Sequence, residues 1–309
     1  MNKGQEMTFP NLSLAILLFA IHTATSAACL NQRVSLQVLG SGGPELDDGR
    51  NSAGYVIWVN GKARLVVDAG SGTSAAFGNA KADFADIQAI LLTHLHVDHA
   101  QDLPAFIKGS FFTARDENLL VLGPDGNQRM PATTQYIERL FGSQGAFPYL
   151  SDYVTPKQQN DYHIIAKNIP LAKEQIVTHA VSKDISVSAT PVHHGPIAAI
   201  AWKVETMGCT LVFSGDTSNE YKVLPDFAKH ADVFIANTAI PENAGVAAKN
   251  LHMTPTEIAQ IAQKAKVKKL VLSHFMNRSL SKQPFIYKTV TKLFSGPVVL
   301  AEDGMRVSL

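Results

Sequence analysis

The sequence predicts a single domain of layered α/β type, and three observations predict it. The chain of 309 residues is 46% hydrophobic, enough for one sizeable core. Strand patterns and helical patterns interleave through both halves, with no internal repeat and no low-complexity block. Chemistry-bearing polar residues gather directly after short apolar runs, where loops leave the ends of strands.

The first segment reads as an export signal rather than as part of the domain. Lys3 gives a weak positive start, partly offset by Glu6. Residues 12–21 form an apolar run of signal length, too short to span a bilayer. Thr25, Ser26, Ala27 and Ala28 follow, and these small residues suit cleavage after Ala27 or Ala28. Residues 1–28 are therefore expected to be removed, leaving 29–309 as a periplasmic or secreted domain with no membrane span. Cys29 stands where a lipoprotein cysteine stands. Ser26 fills the position a lipobox gives to an aliphatic residue, so lipid anchoring is the lesser reading. With Cys209 as the second cysteine, there is neither a disulfide framework nor a zinc–thiolate motif, and pairing and free thiols stay equally open.

Residues 34–40 alternate apolar and polar side chains and end in Ser41-Gly42-Gly43-Pro44. Residues 55–59 and 64–68 read as a hairpin across Asn60-Gly61. Residues 87–92 are nearly all apolar, as in a buried strand. The stretch 100–183 is less regular, with a helical pattern near 131–141 and an aromatic, Gly-rich loop near 141–153. Strand signals return at 185–192, 199–204, 210–213 and 232–235. Residues 254–264 are amphipathic, with Thr254 as cap and Pro255 as first helical residue. A short strand at 270–272, a helix at 283–293 and a strand at 298–300 close the chain.

The strongest chemical signal is Thr93-His94-Leu95-His96-Val97-Asp98-His99, directly after the buried strand at 87–92. Four metal-competent side chains fall within six residues on a rigid base. His94 and His96 can share one ion, while Asp98 and His99 turn toward a second. Zinc accepts both donor types at about 2.0–2.2 Å. Further ligands stand after later strands: His193 or His194, Asp216 and His274. His193 and His194 are adjacent, so a strand points only one of them inward. His194 opens the turn His194-Gly195-Pro196 and is the choice, with His193 as the alternative. His163, His179 and His230 have no matching partners and read as surface or structural residues.

The string from His94 to His99 resembles the HxHxDH signature of the metallo-β-lactamase superfamily. Further stretches are similar to its ribonuclease Z and arylsulfatase-like branch: Leu39-Gly40-Ser41-Gly42-Gly43-Pro44, Arg50-Asn51, Val66-Val67-Asp68-Ala69-Gly70, Leu251-His252-Met253-Thr254 and Leu270-Val271-Leu272-Ser273-His274-Phe275. The likeness runs from Val34 to the C-terminus and fits the middle least. It implies a four-layer αββα sandwich and two Zn2+ per chain. His94, His96 and His194 would hold the first ion, Asp98, His99 and His274 the second, and Asp216 would bridge them. The nucleophile would be a hydroxide between the two cations. His252 matches a histidine near the leaving group, able to donate a proton or stabilise the transition state. Asp68 matches a structural aspartate that hydrogen-bonds near the His loop.

Such a centre suits hydrolysis of phosphate, sulfate or carboxylate esters. The branch includes a tRNA-processing endonuclease. The export signal, a net charge of only +1 and the lack of a long Gly/Pro/Lys-rich arm argue against that substrate. The expectation is therefore an arylsulfatase-like or phosphodiesterase-like hydrolase of a small-molecule ester, with nucleic acid set aside and a homodimer left open. Trp202, Phe111, Phe112, Phe147 and Tyr149 are aromatic candidates for its pocket. The alternatives are the ribonuclease Z reaction, a lactonase or β-lactamase, and a mononuclear iron protein without hydrolysis.

Overall fold

The computed structural model describes Met1, Gly4, Cys29 and residues 33–155 and 162–309. Apart from Met1 and Gly4, the expected export signal lies outside the described residues. The strands are β1 (Val34–Gly40), β2 (Gly54–Val59), β3 (Lys62–Ala69), β4 (Ala89–Leu91), β5 (Leu119–Pro124), β6 (Ile164–Ile169), β7 (Val177–Ser182), β8 (Ile185–His194), β9 (Ile197–Thr206), β10 (Cys209–Phe213), β11 (Val233–Asn237), β12 (Lys269–Ser273), β13 (Val298–Leu300) and β14 (Arg306–Ser308). They form two sheets, ordered β14-β1-β2-β3-β4-β5-β6 and β13-β12-β11-β10-β9-β8-β7.

Alternation explains how the sheets meet. Val34, Leu36 and Val38 of β1 point inward with Ile57, Leu65 and Val67, and they pack against Val187, Trp202, Val204, Leu211 and Phe213 of the second sheet. The intervening residues of the first sheet, including Val56, Val66, Ile90 and Val121, face helices Leu103–Ser110 and Thr133–Phe141. Val212, Phe234, Leu270 and Leu272 of the second sheet face helices Pro255–Ala265 and Gln283–Leu293. The result is helix, sheet, sheet, helix: the four-layer sandwich expected from the sequence. The β2–β3 turn has Asn60 and Gly61 both at positive φ, 54° and 78°, as a primed hairpin turn requires. Thr254 caps its helix through a reciprocal pair with Glu257.

The middle of the chain is more regular than its pattern suggests. It contributes helix Leu103–Ser110 and strands β5, β6 and β7. β6 and β7 are the outer strands of their sheets, so their side chains are half exposed and lack a clean apolar face.

Cys29 and Cys209 form a disulfide across a Cα–Cα distance of 4.3 Å. The bond joins positions 180 residues apart and restricts the unfolded chain accordingly. Cys209→Ala should lower unfolding stability by about 2–5 kcal/mol. Chemical denaturation with and without reductant checks this, and the reductant should have no further effect on the variant.

The sheets are joined at the edge where β3, β4, β8, β10 and β12 end. The Ile200 amide donates to the Thr93 carbonyl at 2.9 Å, and the Trp202 indole donates to the Leu92 carbonyl at 3.0 Å. That edge carries the polar clusters. Among the described residues, no helix is long and apolar enough to cross a membrane.

Candidate metal centre

Each site residue sits just beyond the end of a strand. β4 runs into Thr93 and His94, β8 ends on His194, β10 leads into Asp216, and β12 leads into His274. The polar loops converge there because their strands are parallel neighbours or face each other across the sandwich. His96 ends the loop and precedes the short helix Val97–Ala100, which turns Asp98 and His99 inward. Gly70 lets this helix approach, since a Cβ there would lie 2.1 Å from the Asp98 carbonyl oxygen.

Two groups result. His94, His96, His194 and Asp216 each offer one ligand atom, all within 4.8 Å of one another, and so do Asp98, His99 and His274. Asp216 lies between the groups. Its Oδ2 is 3.6 Å from His194 Nε2, 4.0 Å from His94 Nε2 and 3.8 Å from His99 Nε2, while Oδ1 is 3.5 Å from His274 Nε2. His94 Nε2 and His194 Nε2 are buried with no hydrogen-bond partner. Such orphaned acceptors, aimed at a shared carboxylate, fit a cation.

Surrounding groups fix the rings. Asp68 accepts from the Thr93 amide at 2.7 Å, the Thr93 hydroxyl at 2.8 Å and His99 Nδ1 at 2.7 Å. His99 Nε2 is thereby turned toward the centre. His194 Nδ1 donates to the Leu251 carbonyl at 2.9 Å, which frees its Nε2. Asn237 Nδ2 donates to Asp216 Oδ1 at 2.8 Å. Thr93 and Leu251 stand in the sequence motifs without a role of their own, and Asn237 stands in none. Asn237 had one available signal, a polar side chain closing the apolar strand β11. Asp68 and His274 both hold positive φ, 57° and 56°, a strain that non-glycine residues keep where the surroundings enforce it.

The electrostatics follow from burial. Burial lowers the pKa of His94 and His96, aided by neighbouring imidazoles, so both rings favour the neutral, ligand-competent form. Burial alone would raise Asp98, but His99 and His274 pull it down to about 2. Asp216 is likewise held ionised against burial by His274, His252, His99 and His194. Burial would lower His99, yet Asp68, Asp98 and Asp216 hold it up at about 10. His252 is lowered to about 4, chiefly by burial, and its Nδ1 stands unpartnered 3.8 Å from Asp216 Oδ2.

His193 joins neither group. Its ring points away from His194 and meets Ser218 and Glu220. His163, His179 and His230 also stand outside both groups. The expected pocket aromatics do not line this edge. Trp202 is fully buried between the sheets, where its bulk fills the core. Phe147 packs against the outer layer of the first sheet. Phe111, Phe112 and Tyr149 are exposed around Lys108. Phe111 and Phe112 precede β5, which runs parallel to β4, so they fall toward the sheet end opposite His94.

Two ligand groups sharing a carboxylate at the strand ends of an αββα sandwich define a metal-binding hydrolase of the metallo-β-lactamase fold. Residues 63–275 match the family model described as the β-lactamase superfamily domain, and the chain belongs to that family. It is 26% identical to ribonuclease Z of Methanosarcina mazei over 303 residues, covering 88% of this chain and 96% of that one. Among solved structures, the metallo-beta-lactamase fold protein YhfI from Bacillus subtilis superposes with a TM-score of 0.69 at 19% identity, over 89% of this chain and 99% of that one. The short form of human tRNase Z gives 0.68 at 21% identity, over 89% and 98%. The expectation of a small-molecule ester with nucleic acid set aside is overturned by this likeness to ribonuclease Z along nearly the whole chain. Net charge misled because it averages the entire surface and says nothing of the groups at one cleft.

Proposed function

We propose that the protein is a phosphodiesterase of ribonuclease Z type, cleaving RNA at a centre that holds two Zn2+ ions. The observation that carries this reading is Asp216, placed between two three-residue sets of metal-competent side chains. The near full-length similarity to ribonuclease Z supports RNA over sulfate esters and lactones. A shared carboxylate between two groups also favours two ions over a single iron. Imidazole and carboxylate donors suit zinc.

His94, His96 and His194 would hold one ion, Asp98, His99 and His274 the other, and Asp216 both. Bound there, paired cations acidify water and polarise a phosphoryl oxygen. Asp68 keeps His99 oriented by accepting its Nδ1 proton. Asp98 and Asp216 stay ionised, ready to ligate. His252 is neutral near pH 7, so it serves the leaving oxygen as an N–H hydrogen-bond donor.

Purified protein loaded with Zn2+ should cleave a 3′-extended tRNA transcript and bis(p-nitrophenyl) phosphate. The reading fails if the loaded protein hydrolyses aryl sulfates or lactones and leaves both phosphodiesters intact.

Metal uptake should release protons. In the metal-free protein His99 is held at about 10, so at pH 7–8 it is protonated. A ligand must be neutral, so uptake expels that proton, and affinity should fall about tenfold per pH unit below about 10. Calorimetry in two buffers of different ionisation heat should count at least one proton per chain at pH 8. A count of zero contradicts the assignment of His99.

We also infer that the enzyme works outside the cytosol. The apolar run at 12–21 and the Cys29–Cys209 bond support export, since disulfides persist in oxidising compartments. N-terminal sequencing of the protein from extracytoplasmic extract should begin at Ala28 or Cys29. An intact Met1 in a cytosolic fraction overturns the inference.

A further inference from the structure

The end of β8 is gripped from both faces. On the inner face, His194 is oriented by the Leu251 carbonyl. On the other face, His193 meets the loop that follows β10. The Ser218 amide donates to the His193 carbonyl at 2.8 Å, and His193 Nδ1 lies 2.7 Å from Ser218 Oγ. Glu220 Oε2 is 3.4 Å from His193 Nε2, and Tyr221 packs its ring 5.6 Å from the imidazole. An acidic oxygen beside Nε2 favours the tautomer with its proton there. Nδ1 then accepts from the Ser218 hydroxyl.

These contacts join two segments that each carry a member of the first ligand group. His194 follows His193 directly, and Asp216 lies two residues before Ser218. On either side of Asp216–Ser218 the chain turns through Gly215 and Asn219, both at positive φ, so the loop has no regular ladder of its own to fix Asp216. Ser218 is buried and His193 is nearly so.

We propose that His193 and Ser218 are positioning residues: a latch that sets the distance between His194 and Asp216 and so tunes the affinity of the ion held with His94 and His96. This rests on the reading of the two groups as a metal centre. The adjacent histidines thus divide the work, one facing the ion and its neighbour locking the ion's carboxylate loop to the same strand. Partners in the layer around a metal centre commonly alter affinity by about 10–100-fold.

The test is stepwise titration of the metal-free full chain with Co2+, followed by its d–d absorption. His193→Ala and Ser218→Ala should each weaken one of the two binding steps about tenfold and leave the other unchanged. His193→Asn, whose side-chain oxygen can replace the Nδ1 acceptor, should restore most of the loss, whereas His193→Gln should not. Thermal melts of the metal-free variants separate this from a purely structural role, which would lower the melting temperature and leave affinity unchanged. Equal affinities in native and variant proteins, or equal losses in the Asn and Ala variants, overturn the latch. A native chain that takes up no Co2+ overturns the metal reading and the latch with it.

Discussion

Asp216→Asn should leave a folded protein whose turnover of a phosphodiester falls by at least about 10³-fold, a loss of about 4 kcal/mol in transition-state stabilisation. The carboxamide has nearly the size of the carboxylate, and its oxygen can still accept from Asn237. It cannot offer an anionic oxygen to each ligand group. Its NH2 also turns a donor, in place of an anionic oxygen, toward the buried imidazoles of His94, His99, His194, His252 and His274. The expected pattern is a circular dichroism spectrum like the native one, metal content reduced to one ion per chain or less, and kcat lowered rather than KM raised. Native turnover with one ion bound would remove Asp216 from its proposed place.

Asp68→Ala should produce the largest loss of stability. The side chain is buried and satisfies three donors from Thr93 and His99. Removing it leaves the Thr93 amide without its partner and strands His99 without its counter-charge, a cost of about 3–5 kcal/mol. Alanine at a φ of 57° adds about 1–2 kcal/mol of backbone strain. Zinc affinity should also fall about 10–100-fold, because His99 loses the group that orients it. Urea denaturation of the metal-free protein and competition with a chromophoric chelator measure the two effects separately. Asp68→Asn tolerates the left-handed backbone better and should fall between. An alanine variant as stable as the native chain would show that Asp68 is dispensable to the fold.

Much of this was legible before any coordinates, for a local reason. The segment from His94 to His99 is short and its four side chains are spaced by a loop and one helical turn, so sequence neighbours stay neighbours in space. The strands that read clearly, such as β1 and β12, carry a complete apolar face or are buried along nearly their whole length. What stayed hidden was set by distant contacts. The turn at Gly195 favours His194 over His193, but the Leu251 carbonyl that orients its ring is invisible in the sequence. The Cys29–Cys209 bond depends on where the N-terminal segment returns. Trp202 is an inter-sheet residue because β9 lies centrally in its sheet, and an aromatic in a strand pattern does not reveal that. β6 and β7 escaped because outer strands need only part of one face apolar. Substrate class was misjudged for a related reason: whole-chain charge cannot stand in for the geometry of one edge.

The ligand sets have a consequence for how the molecule comes apart. Each draws on both sheets: His94 and His96 with His194 and Asp216 in one, Asp98 and His99 with His274 in the other. Neither half of the chain holds a complete set, so ions held by these sets would bind strongly only once the halves have docked. Their binding free energy would then act as a clasp across the sandwich, raising the barrier to separation as well as the equilibrium stability. A chain cut between the halves while loaded would stay together as a non-covalent pair, and chelator would be the agent that parts it.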